Sequence, residues 1–401
     1  MCCGLKPSTS KENSLKILHM THTDVRVDSR ILKELTALDA AGEYEIHAIG
    51  IAEQGSEASV DFLQTARVNS IRVFFRTVRW LPNSFRYVLV YLEMITRVMS
   101  VGLSVRPRLV HCHDTPLLPV AVLLAWICRA KVIYDAHELE SEKNGQTALV
   151  SRGTYFLEKR LWGAVDGFIT VSGSIRQWYE SRFTKKDSEL ILNSPVMDAE
   201  SLLAVPRSDH YFHHKYDLAD GCLVFVYLGL FVSGRGIEKL LNVFAAQDVQ
   251  AHIVFIGKGP LRTLIEGCAR DNPQVHVHDS VPHDQVVSLV RSADYGVCLI
   301  ERVSLSDYYS LPNKLFEYAF AGVPVLASDF PDLGELVESF SLGVCTPNDE
   351  EAITLAVQRL QALEPRRVTA DLTSLAWEAQ AVHLRSLYQR VLHSATVIAP
   401  L

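Results

Sequence analysis

The sequence predicts an α/β protein built from two Rossmann-like, doubly wound parallel-sheet domains that face a central crevice. Three observations carry this. At 401 residues the chain exceeds one ordinary hydrophobic core, so two domains of roughly 150–200 residues are expected. Apolar runs of strand length alternate with helical patterns, which implies parallel strands joined by crossover helices. The alternation then restarts after a polar and aromatic break, Asp198 to Gly221.

The first series of strand-length runs is Leu15–Met20, Tyr44–Ile51, Ser70–Phe75, Leu109–Cys112, Val132–Asp135, Gly167–Val171 and Glu189–Leu192. Helical patterns fall between them at Val27–Ala41, Phe85–Val101, Tyr155–Ala164 and Ser174–Phe183, and the apolar run Pro116–Cys128 lies between two strands as a buried crossover helix. The second series is Cys222–Leu228, His252–Ile256, Val275–His278, Tyr295–Ile300, Val323–Ala327 and Gly343–Cys345. Its helices begin near Ile237, Pro260, His283, Pro312 and Glu350, and a last helix without a following strand spans Ser374–His393. The expected domains are therefore 1–200 and 201–373, followed by the terminal helical segment 374–401.

A composition of 48% hydrophobic and 21% charged residues describes a globular chain. The net charge of -7 argues against a molecule built as a whole for nucleic acid, so anionic partners must meet a local patch. The eight cysteines are scattered without a C-x-x-C pair, as expected of reduced, mostly buried thiols in the cytoplasm, with acylation of Cys2 and Cys3 the alternative. The first fifteen residues lack the apolar core of a signal peptide. Pro116–Cys128, taken as the longest apolar run, falls short of the about 20 residues a bilayer needs. A cytoplasmic protein, peripheral at most at the inner face of a membrane, is expected.

The most informative stretch is 310–328, SLPNKLFEYAFAGVPVLAS. It divides into a polar turn (Ser310 to Lys314), a short helix with one acid (Leu315 to Ala321), a stop at Gly322 and an apolar strand. A crevice-facing carboxylate at Glu317 can accept two hydrogen bonds from a ribose diol, while the turn offers helix N-terminal N–H groups to a phosphate. The stretch resembles the donor-site signature of retaining glycosyltransferases of the GT-B fold, family 4, in the subgroup that carries LPNKLFEY. The resemblance runs from Ile17 to about Leu363, and it extends to His111-Cys112-His113-Asp114 and Tyr134-Asp135-Ala136-His137-Glu138 in the acceptor-side domain.

In such proteins two facing α/β domains bind donor and acceptor in the crevice between them, and the last helix crosses back onto the first domain. The resemblance implies a sugar transferred from a nucleotide diphosphate sugar to a glycan or lipid-linked acceptor in cell-surface polysaccharide biosynthesis. His113, Asp114, Arg235 and Lys314 are then the catalytic candidates. Gly229, Arg235, Gly236, Gly257, Lys258, Val281, Leu311, Asn313, Lys314 and Glu317 are the donor-site candidates, and Arg26, His137 and Glu138 lie on the acceptor side. Arg235 stands where relatives carry a lysine, but Leu230 replaces an arginine, and Tyr309 replaces the first of two glutamates separated by seven residues.

Metal is not expected. No Asp-x-Asp occurs, and a zinc-type grouping of His111, His113, Asp114, Asp135, His137 and Glu138 would draw on two loops and on alternate strand residues expected to face apart. Built-in cations replace the metal, and the nucleotide sugar is a co-substrate rather than a cofactor. A nucleotide-sugar epimerase or hydrolase needs a positioned acid/base pair that the sequence does not display. A catalytically silent nucleotide-binding subunit is the alternative that Leu230 and Tyr309 favour. Between Ser70 and Arg108 lie Arg72, Arg76, Arg79, Arg86, Arg97, Arg106 and Arg108 against the single acid Glu93, interleaved with Phe74, Phe75, Trp80, Phe85, Tyr87 and Tyr91. That composition suits an anionic membrane surface better than nucleic acid, and a helix with core aromatics is the plainer alternative.

Overall fold

A computed structural model describes residues 14–394 apart from 54–62, 64, 79–81 and 198–209. Cys2, Cys3, Arg79, Trp80 and the expected 200/201 domain boundary lie outside the described residues.

Strands β1 (Leu15–Met20), β2 (Tyr44–Ile51), β3 (Arg67–Ile71), β4 (Leu109–His113), β5 (Lys131–Ala136), β6 (Gly167–Thr170) and β7 (Asp187–Leu190) form one sheet in the order 3-2-1-4-5-6-7. Strands β8 (Val224–Leu230), β9 (His252–Lys258), β10 (Val275–His278), β11 (Tyr295–Cys298), β12 (Val325–Ser328) and β13 (Gly343–Thr346) form a second, in the order 10-9-8-11-12-13. Every ladder is parallel. Each sheet reverses its winding once, between β1 and β4 and between β8 and β11, and the crevice opens at the carboxyl ends of those strands.

In the first domain the helices are α1 (Ser29–Ala41), α2 (Asn83–Val105), α3 (Leu118–Cys128), α4 (Ala148–Leu161) and α5 (Gly173–Arg182). The Asp28 side chain caps α1 by accepting from Ile31 N–H, and Gly42 at φ 67° ends it. Where a strand through Phe75 was expected, β3 stops at Ile71 and Phe74–Thr77 form a tight turn. Glu93 braces that turn by accepting the N–H groups of Phe74 and Phe75 at 3.0 Å each. Tyr211–Tyr216, inside the expected interdomain break, is helical and sinks Phe212 into the second core. The helix Pro331–Ser339 was not anticipated, although Pro331 sits at its first turn, where proline is at home.

The final helix, Trp377–His393, packs Leu384, Leu387, Tyr388 and Val391 against Ile17, Ile46, Leu109 and Ile133 of the first sheet. Gly167 permits this approach, since a Cβ there would stand 2.8 Å from Val391. Arg390 fastens the helix to Asp187 and Glu189 at 2.9 and 2.7 Å.

Helix α2 corrects the expectation that no apolar segment is long enough to span a bilayer. Phe85–Val105 passes on length and composition, at mean hydropathy 1.6, and only 22% of its apolar window is buried. Arg86, Glu93 and Arg97 interrupt the run in the sequence and hide it. Its inner side, Met94 and Val98, belongs to the first core, so the helix is one layer of that domain with an apolar outer side.

Candidate functional site

Between the domains lies a crevice of about 960 Å³. Gly229, Arg235, Leu311, Asn313, Lys314 and Glu317 reach it from the second domain, and His137 and Glu138 from the first. The other candidates stand back. Gly236 (φ 74°) caps the helix Ile237–Val243. Gly257 (φ 150°) lies under Gly229, whose carbonyl oxygen a Cβ would approach to 1.9 Å, so it packs two loops together outside the crevice lining. Lys258 is exposed at the end of β9, and Val281 packs on the second core.

The second-domain wall is built around the helix Asn313–Phe320. Leu315, Phe316, Tyr318 and Ala319 bury its inner face. The Tyr318 hydroxyl donates to Val226 O at 3.0 Å and accepts Leu228 N–H at 2.8 Å, which pins the helix to β8. Gly296 makes room for that ring, since a Cβ would lie 2.4 Å from it. Lys314 and Glu317, three residues apart, therefore share the crevice-facing side.

The Lys314 ammonium rests 4.0 Å from the Tyr227 ring centroid and has no hydrogen-bond partner among the described residues, although the residue is only 8% exposed. Burial pushes it down to about 8. Burial likewise pushes the Glu317 carboxyl up to about 7, against the pull of Lys33 and Lys314. His283 Nδ1 stands 3.5 Å from Glu317. Lys33, on α1 of the opposite domain, went unnoticed in the sequence. It donates to Asn193 Oδ1 and Ser194 O at 2.6 and 2.5 Å, and burial lowers it to about 7.

Asp307 is a second residue the sequence did not single out. It lines the crevice 3.9 Å from Arg235, whereas Tyr309, at the place of the missing glutamate, packs toward the first core. Leu230 is 60% exposed on the crevice wall. Between the domains, Leu139 N–H donates to Ser306 Oγ at 3.1 Å and Ser174 N–H to Asp332 Oδ1 at 2.9 Å.

The first-domain wall is a dense polar network. His111 and His113 do not face apart: residues two apart on a strand share a face, and their rings stack at 4.3 Å. His113 is fully buried behind the crevice, with Nε2 3.0 Å from His19 Nδ1 and Nδ1 3.1 Å from His137 Nε2. Asp135 binds Arg30 at 3.0 and 3.2 Å and lies 3.1 Å from His137 Nε2. Burial opposes the Asp135 carboxylate, but Arg30 and His137 outweigh it and hold it well below its usual range. Burial also opposes a charge on His137, yet Asp114 and Asp135 raise it to about 9. At neutral pH the one crevice-lining imidazole of this network is therefore a cation.

Asp114 is buried at φ 59°, a backbone conformation that costs a non-glycine residue about 1–3 kcal/mol and is tolerated chiefly at functional sites. It accepts His137 N–H at 3.3 Å, and His137, Lys143 and His22 hold it at about 2 despite burial. Arg26 is committed to Asp24 at 2.6 Å and lies outside the crevice lining. Among the described residues two groups have metal-ligand spacing: His19, Glu34, His111 and His113, and His113, Asp135 and His137. Most of their nitrogens already meet hydrogen-bond partners, so the donor set fits a proton network better than an ion.

Two family models match: glycosyl transferase 4-like domain over residues 29–192 and glycosyl transferases group 1 over 223–362. The chain is 22% identical to chitobiosyldiphosphodolichol beta-mannosyltransferase of Kluyveromyces lactis, over 82% of this chain and 78% of that protein. In fold it is similar to sucrose-phosphate synthase from Thermosynechococcus elongatus (TM-score 0.74, 18% identity, 95% of this chain and 100% of that one). It is also similar to Anabaena HepE in complex with UDP-glucose (TM-score 0.65, 12% identity, 94% and 98%). With two parallel α/β domains closing on one crevice, the chain belongs to the GT-B glycosyltransferases of the family 4 type.

Proposed function

We propose that this glycosyltransferase transfers a sugar from a nucleotide diphosphate sugar, with retention of anomeric configuration and without a metal, to a glycan or lipid-linked acceptor of cell-surface polysaccharide biosynthesis. The observation that carries it is Lys314, a buried ammonium with no hydrogen-bond partner among the described residues, beside Glu317 at the start of a helix in the crevice. A buried cation without an anion is costly, and a diphosphate would answer it. Arg235 and the turn ahead of Asn313 add charge and N–H donors on the same side. Glu317 takes the ribose diol. These groups stabilise the departing diphosphate as charge develops on it, and His137 presents a cation from the opposite wall toward the sugar or acceptor. The family 4 likeness supports retention. The nucleotide sugar in the HepE complex and the dolichol-linked acceptor in the yeast relative's name support the two substrate classes.

Membrane docking through 70–108 fits the exposure of this surface. Phe74, Phe85 and Tyr87 are 63%, 68% and 67% exposed, so they are not core aromatics, and Arg72 and Arg76 stand exposed beside Phe74. A catalytically silent nucleotide-binding subunit is the second reading, favoured by the alkyl side chain of Leu230 on the donor wall.

Incubation with a panel of nucleotide sugars, with and without lipid-linked glycan acceptors, tests this directly. Acceptor-dependent nucleotide release that survives EDTA is expected, with product anomers matching the donor. An inverted product refutes retention, and loss of turnover in EDTA restored by magnesium or manganese refutes metal independence. Nucleotide binding without turnover across the panel supports the silent subunit.

A further inference from the structure

Asp307 is a second crevice-lining carboxylate of the second domain, besides Glu317, and it is only 9% exposed. Ser304 Oγ donates to its Oδ2 at 2.8 Å and accepts its backbone N–H at 3.0 Å, which fixes the side chain in the short helix Leu305–Tyr308. The other oxygen, Oδ1, faces Arg235 Nη1 at 3.9 Å. The two are paired by charge but stand beyond hydrogen-bond length.

That gap has a chemical meaning. A guanidinium only donates and a carboxylate only accepts, so a single group standing between them must do both. A hydroxyl does. A phosphate oxygen would answer the arginine, but it brings no proton for the acid, and the acid repels it. The plainer role for Asp307, bracing the start of its own short helix, occupies Oδ2 and leaves Oδ1 to the crevice.

The place of the pair along the crevice identifies the hydroxyl. Lys314, lowered chiefly by burial, is within electrostatic reach of both Arg235 and Glu317, whereas the charges acting on Glu317 are Lys33 and Lys314. Glu317 therefore belongs to the end where Lys33 holds the crevice-lining Asn193 at 2.6 Å. Arg235 and Asp307 belong to the His137 end. Ser306 Oγ, next to Asp307, accepts Leu139 N–H at 3.1 Å, and a Cβ on Gly234 would come within 3.8 Å of Asn144 Nδ2. A diphosphate on Lys314 with its ribose on Glu317 thus extends its sugar toward Asp307, beside the first-domain wall.

We infer that Asp307 is a specificity-determining residue: with Arg235 it takes a hydroxyl of the transferred sugar, and so selects donors that carry that hydroxyl free over their deoxy or O-substituted counterparts. This rests on the donor site proposed above. It adds what the ribose and diphosphate contacts lack, a reason to prefer one sugar.

Titration calorimetry of the best-bound nucleotide sugar and of its free nucleoside diphosphate, beginning with UDP-glucose and UDP, separates the two ends of the donor. In Asp307→Ala the nucleotide sugar should bind at least tenfold more weakly, the equivalent of one charge-assisted hydrogen bond. The free nucleoside diphosphate should bind within about twofold of wild type or tighter, since an anion has left its neighbourhood. Glu317→Ala should instead weaken both ligands by the same factor. Monodeoxy forms of the sugar give a second readout. One of them should bind the wild type at least tenfold more weakly than the parent donor does, and Asp307→Ala should bind the two alike. If Asp307→Ala does not fold, Asp307→Asn keeps the shape, removes the charge and is scored by the same titrations. Equal losses of nucleotide and nucleotide sugar, no loss of either, or a wild type that binds every monodeoxy donor like the parent overturns the inference. A wild type that binds no nucleotide sugar of the panel refutes the donor site itself, and unchanged binding in Glu317→Ala beside a sugar-confined loss in Asp307→Ala refutes only the ribose role of Glu317.

Discussion

On the first-domain wall each central charge has an answering one: Arg30 lies 3.0 Å from Asp135, and Asp135 lies 3.1 Å from His137. On the second-domain wall Lys314 reaches the Tyr227 ring at 4.0 Å with no hydrogen bond among the described residues, and Glu317 has a looser partner in His283 at 3.5 Å and the more distant pull of Lys33 and Lys314. The central charges of the first wall are paired as the chain folds. On the proposed function, the second is answered only when an anion and a pair of hydroxyls enter. Stability and function therefore coincide on one wall and oppose each other on the other.

The largest expected effect comes from the complete wall. Asp135→Asn strands the Arg30 guanidinium in the interior and should cost about 3–5 kcal/mol of stability, measured by denaturant unfolding. A loss below about 1 kcal/mol would show that the network is not a paired one.

Lys314→Met should do the reverse on the other wall. Replacing an unpaired buried ammonium by an alkyl chain should leave the ligand-free protein as stable or up to about 2 kcal/mol more stable, while donor affinity falls. Lower stability of the ligand-free variant would place a partner on Lys314 within the protein and end the contrast.

The third prediction concerns pH. Glu317 rises from its usual 4.5 to about 7 on folding, so the folded state binds the extra proton between those values. Its contribution to stability is then greatest below 4.5 and is lost as pH rises toward about 7. Glu34, Glu140 and Glu158 titrate in the same sense, which makes the difference between wild type and Glu317→Gln the informative quantity. Melting curves should converge with the variant at low pH and fall below it by pH 7. Parallel curves would remove Glu317 from the buried set.

The smallest effect lies outside the crevice. Arg72→Ser with Arg76→Ser should weaken sedimentation with anionic vesicles at low salt by about 1 kcal/mol per cation. Sedimentation unchanged by the double substitution, or absent in the wild type, would leave the exposed Phe74, Phe85 and Tyr87 without a lipid role.

What the sequence disclosed follows the same division. The central strands were legible because parallel strands buried on both faces read as continuous apolar runs, whereas the polar, half-buried edge strands β3 and β7 lie upstream of the apolar runs read for them. The donor wall was legible because Asn313, Lys314 and Glu317 sit on one short helix, where spacing alone places them together. The first-domain polar network was not, since His19, Glu34, His113, Asp135 and Tyr388 come from β1, α1, β4, β5 and the last helix, and only the folded sheet brings them together. Arg30 and Lys33 look like solvated charges on a helix until the crevice forms around them. Facing His111 and His113 apart was a period error, because strand neighbours alternate and residues two apart do not.

The central claim, that the second-domain wall waits for a nucleotide sugar held by Glu317, is tested most directly by titration calorimetry of nucleotide sugars against wild type and Glu317→Ala. Two charge-assisted hydrogen bonds at roughly 1.5–3 kcal/mol each predict at least a hundredfold weaker binding in the variant, with its unfolding transition intact. Equal affinity in the two proteins would contradict the assignment.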